Sequence, residues 1–157
     1  MRHIVYFDVC CLNRPFDDQT QARIHLESEA VLAVLDNCQN GIWVLIGSEV
    51  VDFEVSLIPD SERRKRVAAL AALAQDRIRI NDEIRLRTVE LTKNGFKPYD
   101  ALHLASAENS SAEVFLTTDD KLLRKARKNA RLLKINVENP VIWIMEVTKS
   151  GHSKNES

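Results

Sequence analysis

Apolar residues fall in short blocks separated by longer stretches of mixed character. Residues 4–7 are an unbroken run, Ile4-Val5-Tyr6-Phe7, that stops at Asp8. A continuous run of this length predicts a strand buried on both faces, as in a parallel sheet. Residues 42–46 repeat the pattern, and the shorter or mixed segments 113–117 and 133–137 read as a third and a fourth strand. Between the first two runs, residues 21–37 place Ile24, Val31, Val34 and Leu35, with Cys38 just beyond, along one face of a helix that Gly41 ends. Ser48 is an N-cap for a helix lasting until Pro59, Asp60-Ser61 starts another, and Asn81-Asp82 caps one that runs to Asn94. Residues 77–80 read as a short strand or an extended linker. Gly95 stops the helix before it, and Pro98 opens the next, where its fixed φ and missing N–H suit a first turn. A basic helix with Lys121, Arg124, Lys125, Arg127 and Lys128 follows the third run, and Asn139-Pro140 starts a last helix at 141–147. Strands alternating with helices predict a three-layer α/β/α sandwich with a central parallel sheet of four or five strands. This domain covers 1–148, and 149–157 reads as a disordered polar tail.

Length and composition set limits on this picture. The 157 residues are enough for one domain with a sizeable core. Lys+Arg 22 against Asp+Glu 23 gives a net charge of −1, so nucleic-acid binding would need a local patch. Three cysteines, two of them adjacent, make no disulfide framework and fit a reducing cytosol. No run approaches the ~18 apolar residues of a membrane span, and the N-terminal run meets Asp8 too early for a signal peptide. The expectation is a cytoplasmic protein without a membrane segment.

The candidate chemistry lies in acids placed at element ends. Asp8 ends the first strand and Asp119 follows the third. Asp100 stands in the first turn of the Pro98 helix, where the positive end of the dipole favours it. Glu54 lies six residues after Ser48 on the helix following the second strand. A parallel sheet brings its strand ends to one edge, where ligands bind. Carboxylates gathered there repel and raise one another's pKa. A divalent cation relieves this, and hard oxygen ligands select Mg²⁺ or Mn²⁺ over zinc. Such a site activates water against a phosphodiester. Glu49 and Asp52 share a helix with Glu54, and spacing does not separate the three. Asp120 reads as the N-cap of the following helix or as an auxiliary ligand. His103 reads as a packed core histidine, a ligand or a general acid. Asp17 and Asp18 read as a solvated loop, Cys10 and Cys11 as small buried residues, and Trp43 and Trp143 as core.

Four pieces in order carry a family likeness: Tyr6-Phe7-Asp8; Ser48 with Glu54; Tyr99-Asp100-Ala101-Leu102-His103-Leu104-Ala105; and Leu116-Thr117-Thr118-Asp119. Spanning about residues 4–145, the pattern resembles the PIN domain family, which includes the VapC-type toxins of bacterial toxin–antitoxin pairs. The resemblance implies a metal-dependent endoribonuclease acting on single-stranded RNA. Asp8, Glu54, Asp100 and Asp119 would hold one or two Mg²⁺ or Mn²⁺ ions, with Thr117 supporting the last acid. It also implies an antitoxin partner covering the acidic groove, and a homodimer. The chain departs from the family in having Val9 and Cys10 after the first acid, where Thr or Ser and then Asn or Ser is common. Asn13 is expected to supply the missing polar contact. The basic runs at 63–66 and 121–131 read as RNA-phosphate contacts or as solvated faces, and Arg14 is the first choice for a phosphate contact. The competing readings are a catalytically inert module of the same fold that binds RNA or a protein, and a hydrolase acting on DNA.

Overall fold

In the computed structural model, which describes residues 2–156 and side chains through Lys149, the chain forms β1 (Ile4–Phe7), α1 (Val9–Asn13) and a 3₁₀ turn (Arg14–Phe16). There follow α2 (Ala22–Gln39), β2 (Val44–Ser48), α3 (Glu49–Ser56), α4 (Ser61–Ala71) and β3 (Asp76–Ile78). The second half holds α5 (Asp82–Lys93), α6 (Pro98–Glu108), β4 (Val114–Leu116), α7 (Asp120–Lys128), β5 (Asn136–Glu138) and α8 (Pro140–Glu156). All five strands are parallel, in the order β3-β2-β1-β4-β5, with helices on both faces. The three-layer sandwich expected from the sequence is therefore found, with the ambiguous 77–80 segment contributing the edge strand β3. The polar tail expected at 149–157 falls, apart from Lys149, outside the residues whose side chains are described.

The chain begins in the middle of the sheet, builds outward through β2 to β3, then returns to the other side of β1. Connections that leave β1 in opposite directions open a crevice beyond its C-terminal end. Register sets the level of that crevice. Phe7 pairs with Leu116 and Tyr6 with Ile46, so Asp8, Thr117 and Ser48 end their strands side by side. β1 is dry on both faces, with Val5 and Tyr6 at 0% exposure and Phe7 at 2%, as a central parallel strand requires. Tyr6 stacks on Phe115 of β4 at 5.4 Å. At the opposite edge of the sheet, Trp43 and Trp143 meet edge-to-face at 5.4 Å, with His3 against both.

Two elements differ in extent from the sequence reading. β2 starts at Val44 because Asn37 O accepts from both Ile42 N and Trp43 N, which uses those amides to close α2. β5 is confined to Asn136–Glu138 by its pairing with β4.

Candidate active site

Asp100 owes its place to the turn between α5 and α6. Gly95, at φ +98°, donates to Thr92 O, and Phe96 N donates to Leu91 O. These two bonds make a Schellman ending, closed by buried Leu91 and Phe96. Only Lys97 then separates the turn from Pro98. Its φ −66°, ψ 151° is the extended conformation that a following proline imposes. Asp100 is thus fixed in the first turn of α6, half-buried. Burial, followed by the negative charges of Asp8 and Asp119, pushes its carboxyl up to about 6, while His103 and Lys97 pull in the other direction. Three acids from β1, α6 and the start of α7 are therefore within electrostatic reach of one another.

Asp8 and Asp119 are tied by one hydroxyl. Thr117 Oγ1 donates to Asp8 Oδ2 at 2.7 Å and accepts from Asp119 N at 3.1 Å. Asp119 Oδ1 in turn accepts from Lys121 N and Leu122 N, so Asp119 itself is the N-cap of α7. The cap expected at Asp120 lies one residue earlier. Asp120 instead gives both oxygens to the Arg23 guanidinium, at 2.7 Å each. The position after Val9 is not empty of polar contact either. Cys10 Sγ lies 3.4 Å from both Asp8 Oδ2 and Thr117 Oγ1. Asn13 does not supply that contact, because its side chain donates to Val9 O and accepts from Arg63.

Glu54 is held from the protein interior. Its Oε1 lies 2.7 Å from His103 Nε2, His103 Nδ1 lies 2.8 Å from the Tyr6 hydroxyl, and that hydroxyl lies 2.6 Å from Ser48 Oγ. Ser48 also caps α3 by accepting from Val51 N. Burial drives the Tyr6 phenol far above its ordinary pKa, so it keeps its proton. With a neutral imidazole, one assignment satisfies every atom: Ser48 donates to Tyr6, Tyr6 to Nδ1, and Nε2–H to Glu54. His103, 1% exposed, is a core histidine as well as a positioning residue. Glu49 is exposed and Asp52 pairs with Arg77 at 2.6 Å, which leaves Glu54 as the acid of α3 that turns inward.

The pairing of the acids separates these residues from the others. Eight acids among the described residues are buried or half-buried. Asp17, Glu27, Glu108 and Glu138 each lie within 4 Å of an arginine nitrogen. The other four are Asp8, Glu54, Asp100 and Asp119, and none has a Lys or Arg partner. Asp17 is accordingly no solvated loop residue, since Arg14 and Arg63 hold it. The donor set of the unpaired four is all carboxylate oxygen, which fits a hard divalent cation rather than zinc. Among the described residues, no three His, Cys, Asp or Glu side chains stand drawn together as a finished ligand set.

Beside Asp119 opens a cleft of about 700 Å³ lined by Arg14, Arg23, Lys97, Lys121 and Arg124. Arg14 faces it while ion-paired to Glu27 and Asp17. Of the 63–66 run, Arg63 is spent on Asn13, Phe16 O and Asp17, and Arg64 on Ile58 O. Sequence reading gives Tyr6 and Cys10 no polar role and leaves His103's role open, because Tyr6 meets His103, and Cys10 meets Thr117, only across the fold. No helix among the described residues is long and apolar enough to cross a membrane.

Comparison with known proteins agrees with this architecture. The family model described as PIN domain matches residues 5–128. No curated protein matches the sequence. Among solved structures, a chain of VapBC2 from Rickettsia felis, bound to a DNA fragment from its promoter, is similar to this chain with a TM-score of 0.56. The match covers 87% of this chain and 98% of that one at 14% identity, a likeness of fold.

Proposed function

The chain belongs to the PIN domain family, and from that premise we propose that it is a Mg²⁺- or Mn²⁺-dependent endoribonuclease, acting in the cytoplasm on single-stranded RNA as the toxin of a toxin–antitoxin pair. The observation that carries this reading is the set of four shielded acids left without a lysine or arginine partner while every other shielded acid is given an arginine. The cationic cleft beside Asp119 supports a polyanionic substrate.

Asp8, Asp100 and Asp119 would hold one or two ions. When bound, such ions lower the pKa of water and neutralise charge building on the phosphate. Thr117 holds Asp8 and Asp119 at a fixed relative position. Glu54, with Oε1 anchored by His103, presents Oε2 to orient the attacking water and take its proton. Lys97, Lys121 and Arg124 bind flanking phosphates. An antitoxin segment would silence the site by covering the acids. The R. felis complex is the fold-level precedent for a partnered chain.

Cleavage of a labelled single-stranded RNA tests the reading, with matched DNA alongside. Cleavage should require Mg²⁺ or Mn²⁺, stop in EDTA, and be lost in Asp100→Asn. Metal-dependent cleavage retained in Asp100→Asn refutes the site. Absence of cleavage by the wild type with either metal favours the inert module, and preference for the DNA strand favours the DNA hydrolase.

A further inference from the structure

The chain has nine aromatic side chains, and seven of them are buried or half-buried. The two exposed ones are Phe53, 52% exposed, and Tyr99, 46% exposed. They lie against each other, with ring centroids 6.3 Å apart and planes inclined by 22°. Scattered exposed apolar residues need no explanation. Here both exposed aromatic rings come from different helices to the same spot. Phe53 adjoins Glu54 on α3, and Tyr99 adjoins Asp100 in the first turn of α6. Tyr99 also stands one helical turn, about 5.4 Å, before His103, whose ring meets Glu54. The aromatic pair therefore extends the α3–α6 contact outward by one turn, toward the end of α6 where Asp100 stands. The pair thus joins α3, the helix that follows β2, to the first turn of α6, while the cationic cleft opens beside Asp119, just past the end of β4.

We propose that Phe53 and Tyr99 are a stacking subsite for one nucleobase of single-stranded RNA, an inference that rests on the nuclease reading above. A base is uncharged, so it approaches Glu54 and Asp100 without the repulsion that a phosphate meets there. Its π-face stacks on an aromatic ring whatever its sequence. Bases in a duplex already stack on their neighbours, so the subsite selects unpaired RNA. The strand then crosses the sheet edge with a base on the aromatic pair, the scissile phosphate at the acids and further phosphates among Lys97, Lys121 and Arg124.

The test is binding in EDTA, where no cleavage occurs, of a short RNA carrying 2-aminopurine at one position at a time. Wild-type protein should quench the fluorophore at one position, and an abasic site at that position should weaken binding about 5- to 150-fold. This arm needs no variant. Phe53→Leu/Tyr99→Leu keeps apolar surface but no π-face. It should lose the quench, bind intact RNA weaker by a similar factor and ignore the abasic site, whereas Tyr99→Phe keeps both properties. A wild type that cleaves RNA but quenches at no position overturns the subsite alone, as does a double variant that binds intact RNA like the wild type. A wild-type dimer that becomes monomeric in the double variant marks the pair as a subunit contact and also overturns it. A wild type that neither binds nor cleaves RNA overturns the nuclease reading itself.

Discussion

Glu27 and Asp8 are both buried carboxylates, at 1% and 9% exposure, and the chain surrounds them in opposite ways. Around Glu27 it gathers Arg14 at 2.8 Å, Arg23 at 3.2 Å and the Asn139 amide at 2.7 Å, so α2, the 3₁₀ turn and the start of α8 meet on a neutralised charge. Around Asp8 it places a hydroxyl, a thiol and two more acids. A buried charge without compensation is costly. An acid that holds the fold together is therefore neutralised from within, whereas Asp8, Asp100 and Asp119 receive no lysine or arginine from the chain. Glu54 lies between these cases, its Oε1 held by His103, which Tyr6 and Ser48 hold in turn.

This contrast can be broken at several points. Glu27→Ala should give the largest loss of stability, about 3 kcal/mol, because it leaves the buried Asn139 amide without an acceptor and Arg14 and Arg23 with only Asp17 and Asp120 as acidic partners. Chemical denaturation measures it, and a loss below about 1 kcal/mol would remove Glu27 as the structural counterpart of Asp8. Tyr6→Phe leaves His103 Nδ1 without a donor and the Ser48 hydroxyl proton without an acceptor, at about 1–3 kcal/mol in stability. Its kinetic signature is a fall in kcat with little change in KM, since Glu54 loses its fixed orientation while RNA contacts stay. A change in KM alone would place the relay outside catalysis.

A smaller effect follows from Asp100. Its folded-state value, about 6, lies above the ordinary aspartate value near 3.9. Its stabilising contribution in metal-free protein is therefore complete below pH 4 and lost as pH rises through 6. Asp100→Asn removes that loss. In EDTA at pH 7.5 the variant should melt higher by on the order of 1 kcal/mol after allowance for solvent screening, roughly 2–4 °C, with the gap closing by pH 4. A variant less stable than the wild type at pH 7.5 would mean that the acids are not in mutual repulsion. The smallest effect belongs to the cleft. Arg124→Ala should lower the salt slope of RNA binding by about 0.7, the loss of one phosphate contact on a single strand. An unchanged slope would take Arg124 off the substrate path.

What can be read from the sequence is set by range. Asp8, Asp100 and the Ser48 cap follow from neighbours within a few positions, such as a strand end, Pro98 or a run of apolar residues, and all three stand where those signals put them. Asp119 and Asp120 are equivalent to any local reading. Thr117 holds the amide of one and Arg23, 97 residues upstream, takes the carboxylate of the other. His103 has apolar neighbours in sequence, and its partners are 97 and 49 residues away. Arg14 reads as free for phosphate because Glu27 lies thirteen residues further on, on a different element. Cys10 reads as apolar until the fold sets its thiol beside Asp8. Pairing across the fold, rather than residue type, distinguishes the acids of the site from those of the scaffold.

The most direct measurement of that distinction is a Mn²⁺ titration followed by thermal unfolding of the wild type, Asp100→Asn and Asp120→Asn. At a concentration 100 times the dissociation constant, bound metal should stabilise the wild type by about 2.7 kcal/mol. Asp120→Asn should keep that gain, since its carboxylate belongs to Arg23, and Asp100→Asn should lose it. No gain in the wild type, or an equal gain in Asp100→Asn, would contradict the claim that the unpaired acids await a metal ion.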